Sequence, residues 1–265
     1  MIKIEKTNIV GWEEAIRAIR NRASSWENSD SHYCAGPACP EDAGINLCKK
    51  ECPYYKTIAC ENNVSSPYIV GPKDLDLMNR LLNSNTDNRK FMRMIIVYLD
   101  ITAPLYWWTE FDAYKVGTVA NSCSTMHKIA DKEFTLEDFS CEHLLSDDDY
   151  RMDNFESLLY EDDKEVERPR IYLSSPIDDL QDTISKLNLC RRLYLDKSIK
   201  GDKKIYWWQM VQLLPSSYNQ KRTVMLNYEV LANIYKSRKN HKLDEWIESL
   251  PYSELITGKD KKHNF

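Results

Sequence analysis

Five cysteines fall in the pattern Cys34-x4-Cys39-x8-Cys48-x3-Cys52-x7-Cys60. Four thiolates can hold tetrahedral zinc or an iron–sulfur cluster. Cys48 and Cys52 are spaced to share one helical turn. The run has no Cys-x2-Cys pair, the spacing that marks such sites most sharply, so free thiols are the competing reading. A second pattern, late in the chain, pairs an amide with a guanidinium, groups that can bond a polar edge and an anion. Asn227 and Arg238 are eleven residues apart. On an α-helix that is three turns and about 20° of rotation, so the two would share a face, with Leu231 and Ile234 between them. The plain alternatives are a helix-start cap at Asn227 and a helix-end charge at Arg238, and Lys115 by itself reads as a solvated lysine.

Other reactive side chains are isolated. His127 and His241 have no second histidine at metal-ligand spacing, and each fits a structural hydrogen bond or an acid–base role. Cys123 is either a small buried residue or a thiol activated by a nearby cation. The glycine-rich dinucleotide fingerprint, the phosphate-binding P-loop, Gly-x-Ser-x-Gly and His-Glu-x-x-His are all missing from the sequence.

These residues need elements to position them. Apolar periodicity predicts a helix over residues 10–23, built on Val10, Ala15, Ile16 and Ile19, and another from Asp74 to Leu82 behind Pro72. Residues 24–70 hold five of the eight cysteines and four of the ten prolines and form a Cys-rich insert. Phe91–Ile101 reads as a buried strand, with a helix as the alternative. Ala103–Phe111 reads as a helix with Pro104 in its first turn. Residues 137–167 are dominated by Asp and Glu and read as a solvated acidic excursion. Helices follow over Ile177–Leu195 and Ile205–Leu214, the latter ended by Pro215. Thr223–Leu250 reads as mostly helical.

The chain has 265 residues, 42% hydrophobic and 29% charged, enough for one globular domain. A formal charge of -5 argues against a general nucleic-acid coat. No apolar run is long enough to span a bilayer, and no signal peptide is read at the N-terminus. A cytoplasmic, reducing location is expected, where cysteines serve as thiols or metal ligands.

Two segments carry a family resemblance. Ala103-Pro104-Leu105-Tyr106-Trp107-Trp108 runs into Ala113-Tyr114-Lys115-Val116-Gly117-Thr118. Later, Leu214-Pro215 precedes Asn227-Tyr228-Glu229-Val230-Leu231-Ala232-Asn233 and Arg238. In order and separation these resemble flavin-dependent thymidylate synthases. That family has an Ala-Pro strand-to-helix junction, an Arg-His-Arg-x-x-Ser signature, a late Leu-Pro, and an Asn-x-Arg-Ser-Leu helix ending in Leu-Arg. The resemblance covers roughly residues 72–130 and 177–250. Here Ala113-Tyr114-Lys115 stands for Arg-His-Arg, and Thr118 for Ser. Ala120–Met126 lacks the family's acidic residue and phosphate-binding arginine, and Asn88 stands for an upstream histidine.

The resemblance implies an α+β domain spanning residues 1–265, a mixed or antiparallel sheet packed with helices. It implies an enzyme of dTMP biosynthesis that binds FAD, takes a methylene group from methylenetetrahydrofolate, uses NADPH, and methylates C5 of dUMP or a related pyrimidine deoxynucleotide. It also implies a homo-oligomer, a tetramer in the family. Carried over residue by residue, Arg238, Lys115 and Arg93 would hold the nucleotide, and Asn227, Thr118, Ser124 and Asn233 the flavin. No catalytic residue carries over. The rewritten signature leaves an alternative, a catalytically degenerate relative that binds nucleotide or serves in assembly.

Overall fold

Gly11 takes a left-handed conformation (φ 90°) against the chain at Met94, where a Cβ would lie 2.1 Å from the Met94 carbonyl oxygen. That turn separates strand β1 (Lys3–Val10) from helix α1 (Trp12–Ala23) in the computed structural model, which describes residues 2–33, 68–146 and 174–248. Glu13 and Glu14 in the first turn of α1 and Arg20 and Arg22 in the last complement the helix dipole. Its buried stripe is Ala15, Ile16, Ile19 and Arg20. A short 3-10 turn (Trp26–Asn28) leads to β2 (His32–Tyr33), which pairs antiparallel with β3 (Tyr68–Ile69). Helix α2 (Pro72–Leu82) begins with proline at its first turn. The Asp30 carboxylate accepts from the N–H groups of Lys73 and Asp74, closing two of the open donors of that turn.

A 3-10 run (Thr86–Arg93) precedes β4 (Ile96–Pro104). In β4 the buried side chains Val97, Leu99, Ile101 and Ala103 alternate with more exposed ones, the period of a pleated strand. The strand expected over Phe91–Ile101 therefore starts later. Phe91 and Met92 belong to the 3-10 run, where they are buried. Pro104 ends the strand and caps α3 (Leu105–Phe111). Trp107, Trp108 and Phe111 are buried on α3, and the Trp107 and Phe111 rings stack at 5.2 Å. Then follow β5 (Thr118–Ser122), α4 (Thr125–Lys128), α5 (Pro176–Leu195), α6 (Lys204–Leu213), β6 (Asn219–Asn227), α7 (Tyr228–Arg238) and α8 (Glu245–Glu248). Four strands form one sheet in the order β1-β4-β6-β5.

The chain divides into two compact units. One comprises Met1–Ile4, Asp100–Ala113 and Asn121–Thr223, and the other Glu5–Leu99, Tyr114–Ala120 and Val224–Phe265. In the first, α5 and α6 close a core of Ile129, Ala130, Phe134, Phe139, Leu180, Ile184, Leu187 and Met210. Each fully buried aliphatic or aromatic side chain there is worth about 1.5–3 kcal/mol of transfer free energy. The buried Asn188 amide donates to the Phe134 carbonyl and accepts from the Phe134 N–H, so it enters the core with both groups satisfied. Within the acidic stretch expected over residues 137–167, Phe139 bridges to Tyr218 and is only 3% exposed, while Glu137 and residues 142–145 are exposed. Residues 147–167 of that segment lie outside the described residues.

In the second unit, Arg20 and Asp74 form a buried ion pair at 2.6 Å that joins α1 to α2. The other carboxylate oxygen of Asp74 accepts from the hydroxyls of Ser29 and Ser31 and from the N–H groups of Asp30 and Ser31. The expected helix over Thr223–Leu250 resolves into the end of β6, then α7, then α8. Val224 and Leu226 are buried while Thr223 is exposed, a period of two that three apolar neighbours in sequence conceal.

Candidate functional site

The second unit gathers most of the predicted site residues around α7. Asn227 ends β6 and caps α7, its side-chain oxygen accepting from the Val230 N–H at 3.0 Å. Leu231 and Ile234 are buried at 2% and 0% exposure, so the stripe between Asn227 and Arg238 faces the core. Arg238 closes the last turn of α7. Its Nε donates to the Tyr114 hydroxyl at 2.9 Å. Its guanidinium carbon lies 5.6 Å from the centre of the Tyr114 ring and 5.0 Å from that of Trp246. Cation–π contacts of this kind strengthen as water is removed, and Trp246 is 1% exposed.

The segment from Tyr114 to Thr118 thus reaches α7 at both ends. Tyr114 meets Arg238. Lys115 to Thr118 then form a turn, with the Thr118 N–H donating to the Lys115 carbonyl at 3.4 Å and Gly117 at φ 78°. The turn backs directly onto Asn227, and a Cβ on Gly117 would lie 2.5 Å from the Asn227 amide nitrogen. Lys115 is exposed beside Tyr114. The Thr118 hydroxyl is buried and has no hydrogen-bond partner among the described residues.

The remaining candidates are placed differently. Arg93 pairs with Glu229 in the first turn of α7, and that hydrogen bond and charge raise its pKa further, so it stays cationic. Asn233 is exposed on α7. Ser124 belongs to the other unit, where it is exposed and precedes α4 without a side-chain cap. Cys123 is a free, exposed cysteine rather than a small buried one. His241 Nδ1 accepts from the Leu243 N–H, a structural hydrogen bond. Among the described residues no three metal-ligating side chains converge, and Cys34, Cys39, Cys48, Cys52 and Cys60 lie outside them. Among the described residues no helix is long and apolar enough to cross a membrane.

Sequence reasoning missed two participants, Glu229 and Trp246. Glu229 at the start of α7 is a favourable partner for a helix dipole, and that preference was the available signal. Trp246 sits in a polar stretch where one aromatic carries no period.

The donor set around α7 comprises an orphan hydroxyl, an amide beside a glycine turn, a guanidinium between two aromatic rings and a lysine. Such groups can pair with an anion and with hydrogen-bonding edges of a ligand.

No family model and no curated protein matches the chain. Solved structures do. Thymidylate synthase X (ThyX) from Helicobacter pylori with FAD and dUMP aligns over 98% of this chain and 94% of its own, at 14% identity and a TM-score of 0.53. A second structure of flavin-dependent thymidylate synthase ThyX from Helicobacter pylori, complexed with FAD and dUMP, aligns over 98% and 95%, at 15% identity and a TM-score of 0.51. PolB, a UMP/dUMP methylase from Streptomyces cacaoi bound with 5-Br UMP, aligns over 97% and 88%, at 13% identity and a TM-score of 0.45. The α+β fold of this chain, helices with antiparallel sheet, is that of ThyX.

Proposed function

We propose that the chain is a flavin-dependent pyrimidine deoxynucleotide methylase. It would bind FAD and dUMP at the α7 site and transfer a one-carbon unit from methylenetetrahydrofolate to C5, with NADPH as reductant. The observation that carries this reading is the meeting of the Tyr114–Thr118 turn with both ends of α7. Tyr114 bonds Arg238 and Gly117 lies against Asn227, which supports reading this turn and α7 as one ligand-binding neighbourhood. Arg238 and Lys115 hold the nucleotide phosphate. Tyr114 and Trp246 fix the guanidinium plane, so little side-chain freedom is lost when the anion binds. The Thr118 hydroxyl and the Asn227 amide hold the edge of the flavin ring. Flavin supplies the redox step when bound, and the protein orients the partners and excludes water. A homotetramer belongs to the same reading and is measured by sedimentation.

The test is an absorbance spectrum of protein purified without added cofactor, followed by FAD titration and tritium release from C5-labelled dUMP. The expected result is a flavin band, with tritium release that depends on NADPH. A colourless protein that takes up no FAD would refute the reading.

One observation favours a second reading, nucleotide binding without turnover. Tyr114 occupies the central position of the rewritten triplet and bonds Arg238, while Arg93 is committed to Glu229. Saturable dUMP binding with no tritium release, and no rescue of a thymidine auxotroph, would select it.

A further inference from the structure

The chain leaves the first unit at Ala113 and returns to it at Asn121, and the stretch between, Tyr114–Ala120, belongs to the second unit. Both ends of that stretch are held in the first unit by one strand. Gln220 and Arg222 stand two residues apart on β6, so their side chains project from the same face.

Arg222 grips the departing end. Its Nη1 donates to the Asp112 carboxylate at 2.8 Å, and its guanidinium carbon lies 4.2 Å from the centre of the Trp108 ring. Asp112 ends α3, and its N–H donates to the Trp108 carbonyl. One guanidinium therefore holds both members of an i,i+4 pair on the last turn of that helix. Gln220 grips the returning end. Its Nε2 donates to the Thr125 hydroxyl at 2.8 Å, and the Cys123 N–H donates to the carbonyl of Lys221, the residue between Gln220 and Arg222. The two grips are joined. Arg222 Nε donates to Gln220 Oε1 at 2.9 Å, and the Trp108 indole N–H donates to the Gln220 carbonyl at 2.9 Å. Asp112 is half exposed, and a lone ion pair to it would be weak. Arg222 is only 15% exposed, however, and the ring, the amide and the carboxylate together fix its plane. A planar fork serves that arrangement, and a lysine could not.

We propose, on the ligand-binding reading of the α7 site, that Arg222 and Gln220 are its positioning residues, acting through the two ends of the segment that carries Tyr114, Lys115 and Thr118. They touch no ligand. They fix where the segment starts and stops, and groups held loosely by their supports bind less tightly. The experiment compares the full chain with Arg222→Met, which keeps an apolar stem over Trp108 and loses both hydrogen bonds, and with Asp112→Asn, a milder change at a half-exposed position. Amide hydrogen exchange is followed by mass spectrometry, and FAD and dUMP are titrated. In Arg222→Met, exchange over residues 118–123 quickens at least tenfold, exchange over α5 in the same first unit is unchanged, and dUMP binds at least fivefold more weakly. Asp112→Asn shows the same pattern to a smaller extent. Unchanged exchange over residues 118–123 overturns the proposal, as does equal quickening over that segment and α5, the mark of a general loss of stability. So does an unchanged dUMP affinity in a variant whose segment has loosened. A wild-type chain that binds neither FAD nor dUMP defeats the function proposed for the α7 site instead, and exchange then decides by itself whether Arg222 and Gln220 hold the segment.

Discussion

Replacing Asp74 by alanine removes one carboxylate that organises three parts of the second unit. The residue is 0% exposed. One of its oxygens holds Arg20 of α1, and the other holds the hydroxyls and N–H groups of Ser29, Asp30 and Ser31. Without it the Arg20 guanidinium, on a side chain only 9% exposed, stays buried with no counter-charge. Breaking a buried pair from one side costs about 3–5 kcal/mol. At about 2–4 °C per kcal/mol for a protein near this size, the thermal midpoint falls by about 6–20 °C. The assay is urea and thermal unfolding of Asp74→Ala, Arg20→Met and Arg20→Met/Asp74→Leu. The double variant removes both charges and costs far less than the sum of the two single changes. The pH dependence has a fixed sign. Burial alone would raise the Asp74 pKa, but the bonds from Ser29, Ser31 and Arg20 outweigh it and hold the group below its ordinary range. Its contribution is therefore fully present above the unfolded value of about 3.9 and is lost as pH falls through the lower folded value. A loss below about 1 kcal/mol, an additive double variant, or a gap between wild type and Asp74→Ala that widens in acid would refute this account.

Gly117→Ala forces a left-handed alanine, at about 1–2 kcal/mol, and drives a methyl group into Asn227, so the thermal midpoint drops by several degrees. Asn227→Ala loses a helix cap worth about 1 kcal/mol, whereas Asn227→Asp keeps it. If the amide also holds flavin, Asn227→Asp weakens FAD binding at an unchanged midpoint, and FAD titration beside calorimetry separates the two roles. Tyr114→Phe keeps the ring but removes the hydroxyl from the partly buried Arg238. A loss of about 1 kcal/mol, roughly fivefold in dUMP affinity, is expected by equilibrium titration. Trp246→Ala empties a fully buried site and costs about 3–5 kcal/mol in urea unfolding.

The helices were legible where proline or glycine punctuates an apolar period. Pro72 opens α2, Pro215 follows α6, and Ala103-Pro104 turns β4 into α3, as the residue pattern implied. Strands with weak sequence contrast were not legible. β1 carries two lysines and a glutamate and has no buried residue, so no alternation announces it. The end of β6 places Val224, Met225 and Leu226 in succession, which a helix tolerates equally well. At the site, spacing alone put Asn227 and Arg238 on one face of a helix; the structure makes Asn227 the extended cap and Arg238 part of the last turn, the plain alternative that the same residues offered. Nothing local in the sequence identified what encloses Arg238. Tyr114 arrives from 124 positions away, and Trp246 from beyond the helix. Long-range contacts of this sort are fixed by tertiary packing, not by propensity.

The two-rung ladder of His32 with Ile69 and Tyr33 with Tyr68, reinforced by tyrosine rings 5.0 Å apart, has a consequence for engineering. An isolated two-stranded pair is marginally stable in water, so the edge-to-face tyrosine contact, worth about 0.5–1.5 kcal/mol beyond its buried area, is the feature to keep when either short strand is redesigned.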